Sequence, residues 1–142
     1  MSPLSALQTT LAAEHAALYV LGVLGGQTSQ SASPTLFATI TATYADHRGR
    51  RDHLVRAVTA LGGTPVVAEV AYDVPADLAT PQAVTRRAWQ LERDCAATYA
   101  FLVASSTEDL RSWALRSLQA SAVRQLAFGG APEQFPGRSV TG

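Results

Sequence analysis

The chain has no lysine, a single cysteine and no apolar run long enough to span a membrane, and each of these absences narrows what it can be. One thiol, Cys95, excludes an internal disulfide framework, so nothing in the composition calls for an oxidising compartment. No arginine precedes Arg48, so the positively charged opening of an export signal is missing. The longest apolar run, Ala16 to Gly26, falls short of the roughly 20 residues that a membrane span requires. A soluble cytoplasmic protein with no membrane partner is expected. Charge of one sign is lacking too: 11 basic residues, all arginine, face 11 acidic ones for a formal charge of zero. Without a basic stripe, nucleic acid is not an expected partner, because its affinity comes mostly from Lys and Arg on phosphates.

What is present is alanine, at 26 of 142 positions, within a composition that is 47% hydrophobic and only 15% charged. Such a chain can bury a full core and has the length of one domain. Three of the four Ser/Thr-Pro pairs, Ser2-Pro3, Ser33-Pro34 and Thr80-Pro81, each read as an N-cap followed by proline at the first helical position. A first helix follows with Leu4, Leu7, Leu11, Leu18 and Leu21 at helical spacing, and it stops at Gly25-Gly26. A second carries Phe37, Ile40, Tyr44, His47, Arg51, Leu54, Val58 and Leu61 and ends at Gly62-Gly63. Pro65, Pro75 and Pro81 then break any helix, so residues 64–80 read as a long crossover. The third helix places Val84, Ala88, Leu91, Cys95, Tyr99 and Leu102 on one face. After Ser105-Ser106-Thr107, a fourth puts Leu110, Ala114, Leu115, Leu118, Ala122 and Leu126 on its apolar side and ends at Gly129-Gly130. Residues 1–130 are thus expected to form an all-α, antiparallel four-helix bundle, with 131–142 as a tail frayed at its end. The long second connection can return the chain to the far end of the bundle and set the second and third helices parallel.

Charged residues interrupt these stripes. Written as heptads, the first helix has Leu4, Leu11 and Leu18 at one seam position and Leu7, Glu14 and Leu21 at the other, so Glu14 stands where a core leucine is expected. It is also the only fully charged side chain between Met1 and Ala45. A helix rotated by one residue would instead leave Glu14 and His15 at the margin in water. The second helix turns polar at Tyr44, His47 and Arg51, at the height where Glu14 would face it. Asp46, Arg48, Asp52 and His53 read as a solvated belt, whereas His47, Arg50 and Arg51 stand evenly between belt and core. Glu92 beside Leu91 is the next inward candidate. Buried charges cost several kcal/mol each unless paired or bound to metal, so the pattern requires a counter-charge for Glu14 and Glu92.

Read in order, Leu11-Ala12-Ala13-Glu14-His15-Ala16-Ala17, His47-Arg48-Gly49-Arg50-Arg51-Asp52, Gly62-Gly63-Thr64-Pro65 with Ala71-Tyr72, Leu91-Glu92 with Tyr99, and Phe135-Pro136-Gly137 resemble a known group over nearly the whole chain. That group is the bacterial ferritin-like domains of unknown function found in high-GC genomes. The resemblance implies a ferritin-like bundle. In di-iron members of that superfamily, helices 1 and 3 each supply a Glu and helices 2 and 4 each supply Glu-x-x-His, all projecting inward. Glu14 and Glu92 match the two single positions. His47-Arg48-Gly49-Arg50 stands where the first Glu-x-x-His belongs, and the fourth helix offers only Arg124 in Ala120-Ser121-Ala122-Val123-Arg124. Iron and manganese need hard anionic donors, so the pattern implies a lost metal site in which Arg50, Arg51 or Arg124 balances the two glutamates.

Three functions remain compatible with these residues. The first is a non-catalytic module acting through a homodimer or another protein partner, with no cofactor; the charge-poor first helix supports it, because such a helix buries more than one face. Burial by the crossover and the C-terminal tail within one monomer would explain that helix nearly as well. The second is an enzyme or ligand-binding protein using Glu14, Tyr44, His47, Glu92 and Tyr99 as a polar pocket, with Cys95 as a small core hydrophobe. The third is binding of iron or manganese through Glu14, His47 and Glu92, with oxidoreductase chemistry as one outcome.

Overall fold

Ser2, Thr80 and Thr107 hold the extended backbone from which helices begin, and proline at the first position of three helices removes an amide that would have no partner. In the computed structural model, which describes residues 1–138, the elements are α1 (Pro3–Gly26), α2 (Pro34–Ala60), α3 (Pro81–Ala104) and α4 (Glu108–Ala127), with no strand among the described residues. The three Ser/Thr-Pro starts are not equivalent. Ser2 Oγ accepts from the Ser5 amide and Thr80 Oγ1 from the Ala83 amide, both at 3.1 Å, while Ser33 makes no side-chain cap bond. Glu108 and Asp109 lie in the first turn of α4, where the helix dipole favours them. Gly62 and Gly129 follow the ends of α2 and α4 with φ of +80° and +86°, a left-handed conformation that side-chain-bearing residues rarely adopt.

Two apolar clusters fix the direction of each helix. At one end, Leu21 and Leu24 of α1 pack with Ile40 of α2, Val84 and Ala88 of α3, and Phe128 just beyond α4. At the other, Leu7 and Leu11 meet Leu54 and Val58, Tyr99 and Leu102, and Ala114. So α1 and α2 run antiparallel, α3 and α4 likewise, and residues 61–80 carry the chain back so that α2 and α3 are parallel, as the length of that connection predicts. The contacts α1 to α2 and α3 to α4 are extensive, α1 also faces α3, and α2 meets α3 and α4 only sparsely.

The α3 stripe is buried as read, and so is the α1 stripe from Leu7 onward, Glu14 included, with Leu4 half-buried at its start. Two faces differ. Leu61, placed at the end of the α2 stripe, is exposed, because α2 ends one residue earlier and the chain turns at Gly62. On α4, the residues turned inward are Ala114, Ser117, Ser121 and Gln125, and Leu115, Val123 and Leu126 point outward at 44%, 65% and 43% exposure. Of the stripe read from spacing, Leu115 and Leu126 are therefore turned outward, while Ala114 is buried and Leu110 and Leu118 lie half-buried against the cluster around Leu7 and Leu11. Ser121 faces inward to meet Arg50 of α2, and no leucine at that place could accept its hydrogen bond.

The second face of α1 meets the crossover. The Gln8 amide donates to Thr64 O at 2.6 Å and accepts from the Val66 amide at 2.9 Å, His15 Nε2–H donates to Val66 O at 2.9 Å, and Tyr19 tilts onto Tyr72 with ring centroids 5.5 Å apart. No helix is long and apolar enough to cross a membrane among the described residues. Beyond α4 the chain returns to α3: Gly137, at φ +81°, lies so close that a Cβ there would stand 2.5 Å from Ala96 O. The expected fraying of the tail end concerns residues 139–142, outside the described residues.

Candidate functional site: a buried carboxylate, imidazole and phenol network

The heptad that places Glu14 among the α1 leucines turns its carboxylate into the core between the two apolar clusters, at 2% exposure. On α2, His47 stands seven residues from both Ile40 and Leu54, which puts the three on one seam, and its ring is fully buried. On α3, Glu92 is wholly buried, and Tyr99, two turns further on, occupies the same face. Three helices thus deliver four polar groups to one dry point.

Their geometry is tight. His47 Nδ1–H donates to Glu14 Oε2 and Nε2–H to Glu92 Oε1, each at 2.6 Å, and Tyr99 OH donates to Glu14 Oε1 at 2.6 Å. A ring that donates from both nitrogens is an imidazolium. Burial alone would lower its pKa; the hydrogen bonds to Glu14 and Glu92, with the field of both carboxylates, outweigh burial and raise it to about 9. Burial pushes the Tyr99 hydroxyl well above its ordinary value, and the Glu14 charge adds to the effect. Burial does the same to the Cys95 thiol, reinforced by Glu14 and Glu92, which keeps it a protonated core side chain rather than a nucleophile. One carboxylate oxygen, Glu92 Oε2, is buried with no hydrogen-bond partner among the described residues.

The guanidinium expectation is corrected here. Among the described residues neither glutamate is paired to arginine; both share His47. Arg50 stands beside the network, with its guanidinium carbon 5.3 Å from the Tyr99 ring centroid and Nη1 donating to Ser121 Oγ at 2.9 Å. Arg51 pairs with its neighbour Asp52, and Arg124 pairs with Asp46, at half-exposed positions. The reason is reach and solvation: a flat ring spans two carboxylates facing each other across the core, while the longer arginines extend from the rim, where water lowers the cost of their charge. Tyr44 packs against the apolar cluster around Leu24 and Ile40 instead of joining the network. Of the belt, Asp46, Arg48 and Asp52 are exposed as read, and His53 stacks on Trp113 with ring centroids 4.2 Å apart. Burial lowers the His53 pKa, and Arg56 and Arg116 add to that.

Sequence reasoning missed the inward side of α4. Ser117, Ser121 and Gln125 recur at spacings of four and are buried, a polar stripe parallel to the leucines. The signal was there in the spacing, and weighting leucine above serine hid it.

These features define a class: an all-α protein of four helices, crossed over between the second and third, around a buried carboxylate–imidazolium–carboxylate triad. Residues 6–140 match the family described as a domain of unknown function (DUF4439), and the chain belongs to that family. It is similar to the crystal structure of a conserved hypothetical protein, rv2844, from Mycobacterium tuberculosis, with 28% identity and a TM-score of 0.79 over 87% of this chain and 92% of that chain. No curated protein matches the chain.

Proposed function

We propose that the chain is a cytoplasmic ferritin-like module without catalytic activity, in which an imidazolium clamped by Glu14 and Glu92 takes the role of a lost di-iron pair, and that it acts by association with a second copy of itself. The observation that carries the reading is the engagement of both His47 nitrogens by carboxylate oxygens at 2.6 Å. A metal ligand needs one ring nitrogen free to coordinate, and here neither is. The remaining donors fit a metal pair no better. The inward face of α4 offers two hydroxyls and an amide where hard anionic oxygens are needed, and the Arg50 guanidinium stands beside Tyr99. Tyr99, bound to Glu14, and Cys95 are held protonated, so neither is a poised nucleophile.

Self-association is supported by α4, whose Leu115, Val123 and Leu126 form an outward apolar row. A two-fold contact sets such a row against its own copy, so one helix supplies both halves of the interface. Light scattering at micromolar concentration is expected to find a dimer; a species of 14.9 kDa alone would count against that part of the reading.

One observation favours a second reading. Glu92 Oε2 lacks a partner among the described residues, and an iron or manganese ion held by Glu14, His47 and Glu92 would engage it once His47 released one carboxylate. Metal analysis and thermal melts of the full chain separate the two. Protein purified without chelator is expected to carry no stoichiometric iron or manganese, and added Fe, Mn or Zn to leave the melting temperature unchanged. One or more equivalents of metal per chain, or a melting temperature that climbs with metal concentration as mass action requires, would overturn the non-catalytic reading.

A further inference from the structure

On the side of the molecule where the crossover lies over α1 and α3 there is a cavity of about 300 Å³, unused by the central network. Its floor is apolar: Ala13, Ala16 and Ala17 of α1 are too short to fill the gap to Leu91 and Cys95 of α3. Polar groups line it from α3 and from the crossover, namely Arg87, Asp94 and Asp73. Arg87 Nη1 is buried and has no acceptor among the described residues, and Arg87 forms no ion pair with Asp73 or Asp94. A buried guanidinium N–H without an acceptor is destabilising, and ligand sites are places where such a donor is tolerated because the ligand completes it. Asp94 accepts from Gln90 Nε2 at 2.9 Å, which leaves most of its carboxylate lone pairs available.

The signs of these charges restrict the occupant. A simple anion would meet Arg87 but be repelled by two carboxylates, and a simple cation would meet the carboxylates but be repelled by Arg87. Spacing restricts it further. Arg87 and Asp94 are seven residues apart on one face of α3, a rise of about 10 Å, so complementary charges on a ligand must be separated by several atoms and not sit on one carbon. The alanine floor between them suits an unbranched methylene chain. We propose that this cavity binds a small linear molecule with a carboxylate at one end, held by Arg87, and an ammonium at the other, held by Asp94 and Asp73.

The experiment is calorimetric titration of the full chain with 6-aminohexanoate, hexanoate, hexylamine and 2-aminohexanoate. Saturable binding of 6-aminohexanoate is expected, at least about ten-fold tighter than the other three, each of which lacks one charge or places both on adjacent atoms. R87Q and D94N should each weaken it by about ten-fold or more, with R87Q leaving the melting temperature of the ligand-free protein unchanged or raised, since it removes a buried N–H that has no acceptor among the described residues. A16L, which fills the floor, should abolish binding without loss of fold. The proposal is overturned by an absence of saturable binding at millimolar 6-aminohexanoate, by hexanoate or 2-aminohexanoate binding as tightly, or by A16L binding like the parent. Should R87Q fail to fold, the ligand series and A16L decide the outcome by themselves.

Discussion

At the scale of the residue, the ionisation of His47 follows from what lies against its two nitrogens. Glu14 holds one and Glu92 the other, and Tyr99 completes the coordination of Glu14, so removing a single member strands the rest in a dry core. Glu14→Gln should therefore cost on the order of 3 kcal/mol in urea denaturation, because it weakens the partner of a buried cation. Tyr99→Phe removes one donor to a charged acceptor and should cost about 2 kcal/mol. A Glu14→Gln variant that unfolds at the parent's urea midpoint would mean that Glu14 is solvated, contrary to its position here.

At the scale of the element, three Ser/Thr-Pro starts look alike in the sequence and behave differently in the fold. Thr80 caps α3 through its hydroxyl, so Thr80→Ala should cost about 1 kcal/mol. Ser33 makes no cap bond, and Ser33→Ala should lie within a few tenths of the parent in the same denaturation assay. Equal losses from the two substitutions would contradict the difference in cap geometry. The phase of α4 is decided at this scale as well. Two stripes with helical period, one of leucines and one of Ser117, Ser121 and Gln125, run along the same helix, and the polar one is inside. Periodicity reports a face and not its direction. Arg50, arriving from α2 with a donor to satisfy, selects the face that carries Ser121.

At the scale of the whole molecule, the triad makes stability depend on pH. The His47 pKa is higher in the folded state, about 9, than its ordinary 6.5, so its contribution is complete below pH 6.5 and is lost as the pH rises through 9. The full contribution is about 3 kcal/mol, from the 1.36 kcal/mol per pKa unit that links ionisation to folding. Above that range the buried Cys95 and Tyr99, which resist ionisation only in the folded state, extend the loss in the same direction. Unfolding free energies measured in urea from pH 6 to 10 should fall across this interval, and His47→Gln should flatten the part below pH 9. A profile flat between pH 6.5 and 9 would exclude the imidazolium.

Local chemistry was legible in the sequence because it repeats within a few residues. Proline after Ser or Thr, paired glycines and leucines at three and four determined where helices begin and end, that there are four, and that a long connection separates the second from the third. Glu14 was readable for the same reason, as a charge in a heptad of leucines. What paired with it was not, since Glu14 and Glu92 lie 33 and 45 residues along the chain from the His47 ring they share. Spacing along a helix places a side chain on a face, but the choice between histidine and arginine as counter-charge depends on the distance across the core and on access to water. Only the packing of α1, α2 and α3 sets those two quantities, and it selects the short planar ring over the long guanidinium.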